Sequence, residues 1–251
     1  MILKSGKKEL IMFFDNVKRY IKAVLKAKKY DNIIFLGYNC EVAFRFFKQY
    51  GFVDSSLFAW TGVTLEQLKY FLEKPETVGE GEFTRSGHLL KCENSEILFH
   101  GRTNLANKVY YMNDEEFEEE KTELRSRIAY LKDKFFKYST NGKPTLYIRK
   151  VTKEDIEDLE FHEKIIYLYN KLQTVCTNDF KLLLITEKDF YEKALFEEEN
   201  IFTRYVMKYN PNADVTSRKL GDKLGWRIIF TEFQPAVKKK QTKKFKFEEC
   251  D

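Results

Sequence analysis

The chain contains little that interrupts a backbone, with four prolines and eleven glycines in 251 residues. Most of its length is therefore expected in regular elements, because these residue types are the strongest local punctuators. No apolar run approaches the ~18 to 20 residues that a bilayer span requires. Residues 1–30 also lack an apolar core followed by a small-residue cleavage site, so a soluble, unexported, cytoplasmic protein is expected. The four cysteines, Cys40, Cys92, Cys176 and Cys250, are widely spaced with no Cys-x-x-Cys pair. That spacing argues against a disulfide framework or a thiolate zinc site and favours reduced thiols. Walker spacing, Gly-x-Gly-x-x-Gly and Asp-x-Asp are all missing, and neither a cofactor nor a metal is expected.

What is present points to a folded chain: 43% hydrophobic and 16% aromatic residues exclude disorder and suffice for a substantial core. The net charge of +5 is uneven. Residues 1–30 hold nine Lys/Arg against two acids and residues 236–251 hold six Lys against three, which leaves the body at about −5. Such ends suit a weak contact with an anionic membrane surface. No arginine and aromatic platform accompanies the tail, so specific nucleic-acid binding is not expected.

Three parts follow: a basic amphipathic helix within 1–30, a single α/β domain over 31–235, and a lysine-rich tail over 236–251. In the first, Leu10, Phe14, Val17, Ile21 and Val24 recur at three- and four-residue spacing with Lys18, Lys22 and Lys26 on another face, the pattern of a helix that lies on a membrane surface or, more commonly, packs on its own domain. "NIIFLG" reads as a buried strand, and "CEVAFRFFKQY" as a helix closed by Gly51. Thr64 and Gln67 form a capping box for a helix at 64–74. Residues 79–87 read as loop, and "HLLKCENSEILFHG" as two strands around a turn. A helix is expected over 113–137, a strand from Pro144, a helix over 153–172, a strand from Phe180 and a helix near 187–198. "IFTRYVMKY" and "GWRIIFTEF" read as further strands. Continuous apolar strands alternating with helices indicate an α/β fold with a mostly parallel or mixed central sheet flanked by helices.

The joint between "NIIFLG" and the following helix carries Cys40. A cysteine there meets unsatisfied backbone N–H groups and the positive end of a helix dipole, which favour thiolate over thiol. The same amides can hold a developing oxyanion. A small residue filling a crowded turn would look the same. A thiolate mechanism needs a base, and the chain offers His88, His100 and His162. His100, at the end of "EILFHG", is the first choice, since strand ends carry active-site residues in α/β folds. Asp222, Asn39 and Asp54 are candidates for the group that orients the imidazole.

The stretch "FLGYNCEVAFRFFKQYGFVDSSLFAW" resembles the opening signature of a bacterial family of unknown function described as putative papain-like cysteine peptidases. That signature runs Ser-Leu-Gly-x-x-Cys, a helix, then Ser-x-Pro-Phe-Asp-Trp. "ELRSRIAYLKDKF" is similar to that family's Arg-Arg-Ile helix and "LYIRK" to its Leu-Phe-Ile-Arg strand. The resemblance touches residues 31–190 in pieces. It implies a papain-like thiol site with Cys40 as nucleophile and His100 as its partner. The chain departs from the pattern at Leu57, where the family has proline, and at Ala59, where it has aspartate.

The leading expectation is thus a thiol hydrolase or acyl transferase acting on an acyl or glycan substrate. Cys40, His100 and Asp222 are its candidate catalytic residues, and Gly37, Asn39, Trp60 and Arg102 its candidate substrate-binding positions. A second reading is a transferase for a phosphorylated or nucleotide-linked sugar, with Arg102 and Arg149 on phosphate. A third is a non-catalytic module that works through its basic ends.

Overall fold

The computed structural model describes residues 2–38, 40–52, 56–87, 89–101, 112–207 and 222–236, with side chains from Phe14 onward. Four parallel strands form the central sheet: β2 (Asn32–Phe35), β6 (Thr145–Lys150), β7 (Phe180–Glu187) and β8 (Ile201–Val206), in that spatial order. The register sets Ile33 opposite Leu146 and Leu146 opposite Lys181. The fold is therefore α/β, with a mostly parallel sheet, as the alternation of apolar strands and helices implies.

Residues along each strand point alternately to the two faces, and each face has its own core. On one, Ile34, Tyr147, Leu182 and Leu184 pack with three helices: α3 (Leu65–Glu73), α4 (Asp114–Ser139) and α6 (Phe161–Val175). On the other, Ile33, Phe35, Leu146, Ile148 and Leu183 pack with two more: α2 (Glu41–Tyr50) and α7 (Lys223–Glu232). Edge-on aromatic contacts tie helix to helix within each layer, Phe71 of α3 to Phe135 of α4 at 5.1 Å on the first face and Phe46 of α2 to Phe230 of α7 at 5.3 Å on the second. An antiparallel meander of β3 (Phe83–Ser86), β4 (Leu89–Cys92) and β5 (Leu98–His100) adds Phe83, Leu90 and Phe99 to the first core. A small parallel pair, β1 (Lys28–Tyr30) and β9 (Phe233–Pro235), completes the strands described.

Polar side chains pin the amino ends of the central strands. Asn178 donates to the Tyr138 carbonyl at 2.6 Å and to Thr145 Oγ1 at 2.8 Å, and accepts from the Gly142 amide at 2.6 Å. Asn32 donates to the same Tyr138 carbonyl and Thr145 hydroxyl, at 2.9 and 3.0 Å. The end of α4 is thereby fastened to β2 and β6. Tyr147 lies fully buried with its hydroxyl on Ser139, and burial pushes its pKa upward.

Several local expectations hold. Thr64 and Gln67 make the capping box of α3, and Gly51 closes α2 in the left-handed conformation, φ 75°. The acidic start of α4 is capped by Asn113 with Glu116. Others are corrected. "GWRIIFTEF" is the helix α7 followed by the short β9: Asp222 caps it, and Trp226, Ile229, Phe230 and Phe233 recur at helical spacing on one buried face. The helix expected over 153–172 is two, α5 (Lys153–Glu157) and α6, and Leu159 in the break between them is fully exposed. The segment near 187–198 contains only the 3-10 turns Lys188–Phe190 and Glu192–Ala194. Within the expected loop, Phe83–Ser86 is a strand because Phe83 reaches the core.

The first helix, α1, spans Ile2–Leu25 and packs on α7. Over the side chains described, which do not include Leu10, the face it packs with is not the apolar stripe. Ala23 is buried, and Arg19 donates to the Tyr205 carbonyl at 2.7 Å while stacking on the Tyr205 ring. Phe14, Val17, Ile21 and Val24 are exposed instead. Of the lysine-rich tail, residues 237–251 lie outside the described residues.

Asn178→Ala leaves the Gly142 amide without its side-chain acceptor and removes one of the two side-chain amide donors on the Tyr138 carbonyl. It is expected to cost about 1–3 kcal/mol of unfolding free energy, read as a lowered urea midpoint at unchanged slope.

Candidate thiol site at the strand-helix joint

Cys40 lies at the carboxyl edge of the parallel sheet, the side on which α/β folds bind ligands. After β2 the chain turns through Gly37 and Tyr38, both left-handed at φ 80° and 82°. Cys40 follows as the N-cap of α2, half-buried, with φ −73° and ψ −7°. Its side chain makes no capping hydrogen bond at the start of α2. The Cys40 carbonyl accepts from the Phe44 amide at 2.9 Å, which starts the helical ladder at the cysteine itself.

Glycine at 37 has two reasons. A non-glycine residue pays for the left-handed conformation. A Cβ there would also stand 3.0 Å from Val63 Cβ and 3.4 Å from Phe58 Cβ. Residues 56–63 thus form a floor beneath the turn. Ser56 accepts from the Phe35 amide at 3.2 Å, and Leu57, Phe58 and Ala59 are all buried. Where the resembled signature has aspartate, Ala59 contributes a methyl group to the core on the α2 side. Trp60, half-buried, packs against that same core.

Floor and turn are joined by Arg149, the penultimate residue of β6. Its guanidinium is fully buried, and one terminal nitrogen donates to both the Leu36 and the Val63 carbonyls at 3.0 Å. The other terminal nitrogen and Nε have no hydrogen-bond partner among the described residues. Burial lowers the Arg149 pKa to about 10, opposed by the charges of Asp155 and Tyr38, so the group remains a cation at neutral pH. Next to it, Lys150 pairs with Glu41 in the first turn of α2, and Arg45 lies 3.7 Å from the same carboxylate. Two cations thus face the Glu41 carboxylate in the first turn of α2.

Gly37, Cys40 and Trp60 therefore belong to one neighbourhood, to which the structure adds Tyr38, Val63, Arg149 and Lys150. His100 ends β5 with its side chain exposed, and its carbonyl accepts from Arg127 of α4 at 2.6 Å. It is two residues beyond Leu98, which bridges to Gly62 of the floor, so the strand that carries His100 borders the joint. Asp222 serves elsewhere: one carboxylate oxygen accepts from Gly225 N at 2.8 Å to cap α7, and the other from Met207 N at 2.6 Å. Both oxygens are thus engaged by backbone at the end of β8. His162 lies in the first turn of α6, its ring 4.8 Å from that of Phe196 and its Nε2 3.3 Å from the Leu195 carbonyl. Asn39, Asp54, His88 and Arg102 lie outside the described residues. Arg149 is engaged with main-chain carbonyls and offers no surface cation for a sugar phosphate.

The clamp was missed as such in the sequence, although a charged residue inside the otherwise apolar strand "TLYIRK" is its visible signal. Among the described residues, no group of three or more His, Cys, Asp or Glu side chains is arranged to hold a metal ion, and no helix is long and apolar enough to cross a membrane. In comparison with known proteins, no family model matches the chain, no curated protein matches it and no solved structure matches it.

Gly37→Ala forces a left-handed alanine against Val63 and is expected to cost about 1–3 kcal/mol of stability. Thermal unfolding monitored by circular dichroism checks this.

Proposed function

We propose that the protein is a thiol hydrolase or acyl transferase, of the papain-like kind its opening motif resembles, with Cys40 as nucleophile. The observation that carries this reading is the placement of a half-buried cysteine, unused in capping, as the N-cap of a helix at the carboxyl edge of a parallel sheet. Three features support it. The helix N-terminus favours the thiolate, Arg149 fixes the turn that aims the residue, and Lys150 offsets the charge of Glu41.

In this mechanism the Cys40 thiolate attacks the carbonyl carbon of an acyl substrate and forms a carbon–sulfur bond. The carbonyl oxygen becomes an oxyanion held by amides at the start of α2. Collapse of the tetrahedral species expels the leaving group, which takes a proton from an imidazolium, and the thioester passes to water or another acceptor. His100 is the proposed proton carrier, because its strand borders the floor of the joint. Substrate contacts are assigned to the rim made by Gly37 and Trp60.

The test is the pH dependence of iodoacetamide alkylation, read by mass spectrometry at each cysteine. Cys92 and Cys176, both buried, serve as slow internal references. Cys40 is expected to react with a midpoint well below ~8.5, and the midpoint is expected to rise in His100→Ala. A midpoint at or above that of an ordinary thiol, indifferent to His100, would overturn the reading. Cys40→Ala is expected to retain the fold and lose esterase or amidase turnover by at least about a hundredfold.

A further inference from the structure

We infer that α1 is an in-plane membrane anchor, with its exposed apolar stripe seated on an anionic phospholipid surface. The helix holds to the protein by its opposite side, through Ala23 and the Arg19–Tyr205 contact. That docking leaves Phe14 54%, Val17 38%, Ile21 53%, Val24 50% and Leu25 81% exposed. At 100° per residue these five side chains fall within an arc of about 100°, one continuous stripe about 16 Å long. A stripe of this kind on a folded chain marks an interaction surface rather than a core.

The flank of the stripe decides what covers it. Lys18 and Lys22 follow the apolar arc on one side, Lys26 extends the row beyond the helix, and all three are exposed. Past Leu25 the surface continues into a cleft of about 440 Å³ lined by Lys26, Lys28, Phe202, Phe233 and the Arg204–Glu232 ion pair. An apolar arc beside a row of lysines matches the boundary of an anionic bilayer, where side chains enter the acyl region and ammonium groups stay among the phosphates. A second copy of the chain would bring the same lysines to the seam, where Asp15 is the one acid among the described side chains of α1 to offset them. A spanning orientation is excluded, because no described helix is long and apolar enough.

The full chain is to be co-sedimented with vesicles of phosphatidylcholine alone and of phosphatidylcholine mixed with phosphatidylglycerol, at low and high salt. Binding to the mixed vesicles, weakened by salt, is expected, with none to neutral vesicles. Lys18→Gln with Lys22→Gln, both at exposed positions, is expected to lower the partition coefficient about twenty-five-fold, roughly fivefold per lysine. Val17→Glu with Ile21→Glu is expected to abolish binding while leaving the thermal midpoint unchanged. The proposal is overturned by an absence of binding to anionic vesicles at low salt. It is equally overturned if sedimentation velocity shows a dimer that the glutamate pair dissociates while vesicle binding is indifferent to both pairs.

Discussion

The guanidinium of Arg149 is the constraint on which the candidate site depends. It reaches from the end of one strand to hold the carbonyls of two segments distant from each other in sequence, Leu36 at the end of the neighbouring strand and Val63 in the loop after α2. A buried cation is costly unless it is paired or well hydrogen-bonded. Here carbonyl dipoles supply part of that compensation, and the lowered pKa records what they leave unmet. The return is positional: with Leu36 and Val63 fixed, the Gly37–Tyr38 turn has one path, and Cys40 arrives at the head of α2.

The two ends of the sheet are secured by different chemistry. At the amino ends, neutral amides and hydroxyls converge on Thr145 and the Tyr138 carbonyl, a short-range network that joins the starts of β2, β6 and β7, while Lys181 holds Asn200 at the start of β8. The carboxyl ends are secured by charge, through Arg149 on carbonyls, Lys150 on Glu41 and Asp222 on the Met207 amide. Charged groups project further and leave stronger fields than amides do. The electrostatics that could activate a thiol are thus concentrated where the parallel strands end.

Around this sheet the helices divide by what they bury. Those on the first face and α2 and α7 on the second meet the strands through aromatic and aliphatic side chains, and Tyr50, with its hydroxyl on the Phe230 carbonyl, stitches α2 to α7 while burial pushes its pKa up to about 12. The helix α1 is different. Among its described side chains it is held by an arginine on a carbonyl and a ring and by one buried alanine, and its other described apolar side chains are exposed.

Local order was legible in the sequence. The strand of "NIIFLG", the glycine stop at 51, the capping box at Thr64 and Gln67, and the buried strands "TLYIRK" and "FKLLLIT" all follow from periodicity and caps, which depend on neighbouring residues alone. The misreadings share one physical cause. "GWRIIFTEF" has enough apolar residues for a buried strand, and only the cap by Asp222 together with the packing of Trp226 and Phe230 decides for a helix. The spacing of Phe14, Val17, Ile21 and Val24 identifies a helix and a stripe, yet carries no information on which side meets the protein. By itself, the sequence determined an α/β chain with a cysteine at a strand-helix joint, a basic amphipathic helix and a fold class set by alternation. The tertiary structure alone decided that Arg149 clamps the joint, that Ala59 is a core methyl, that Asp222 caps a helix and that the stripe of α1 faces outward. Each of these depends on contacts between segments far apart in the chain, and such contacts leave no periodic trace along it.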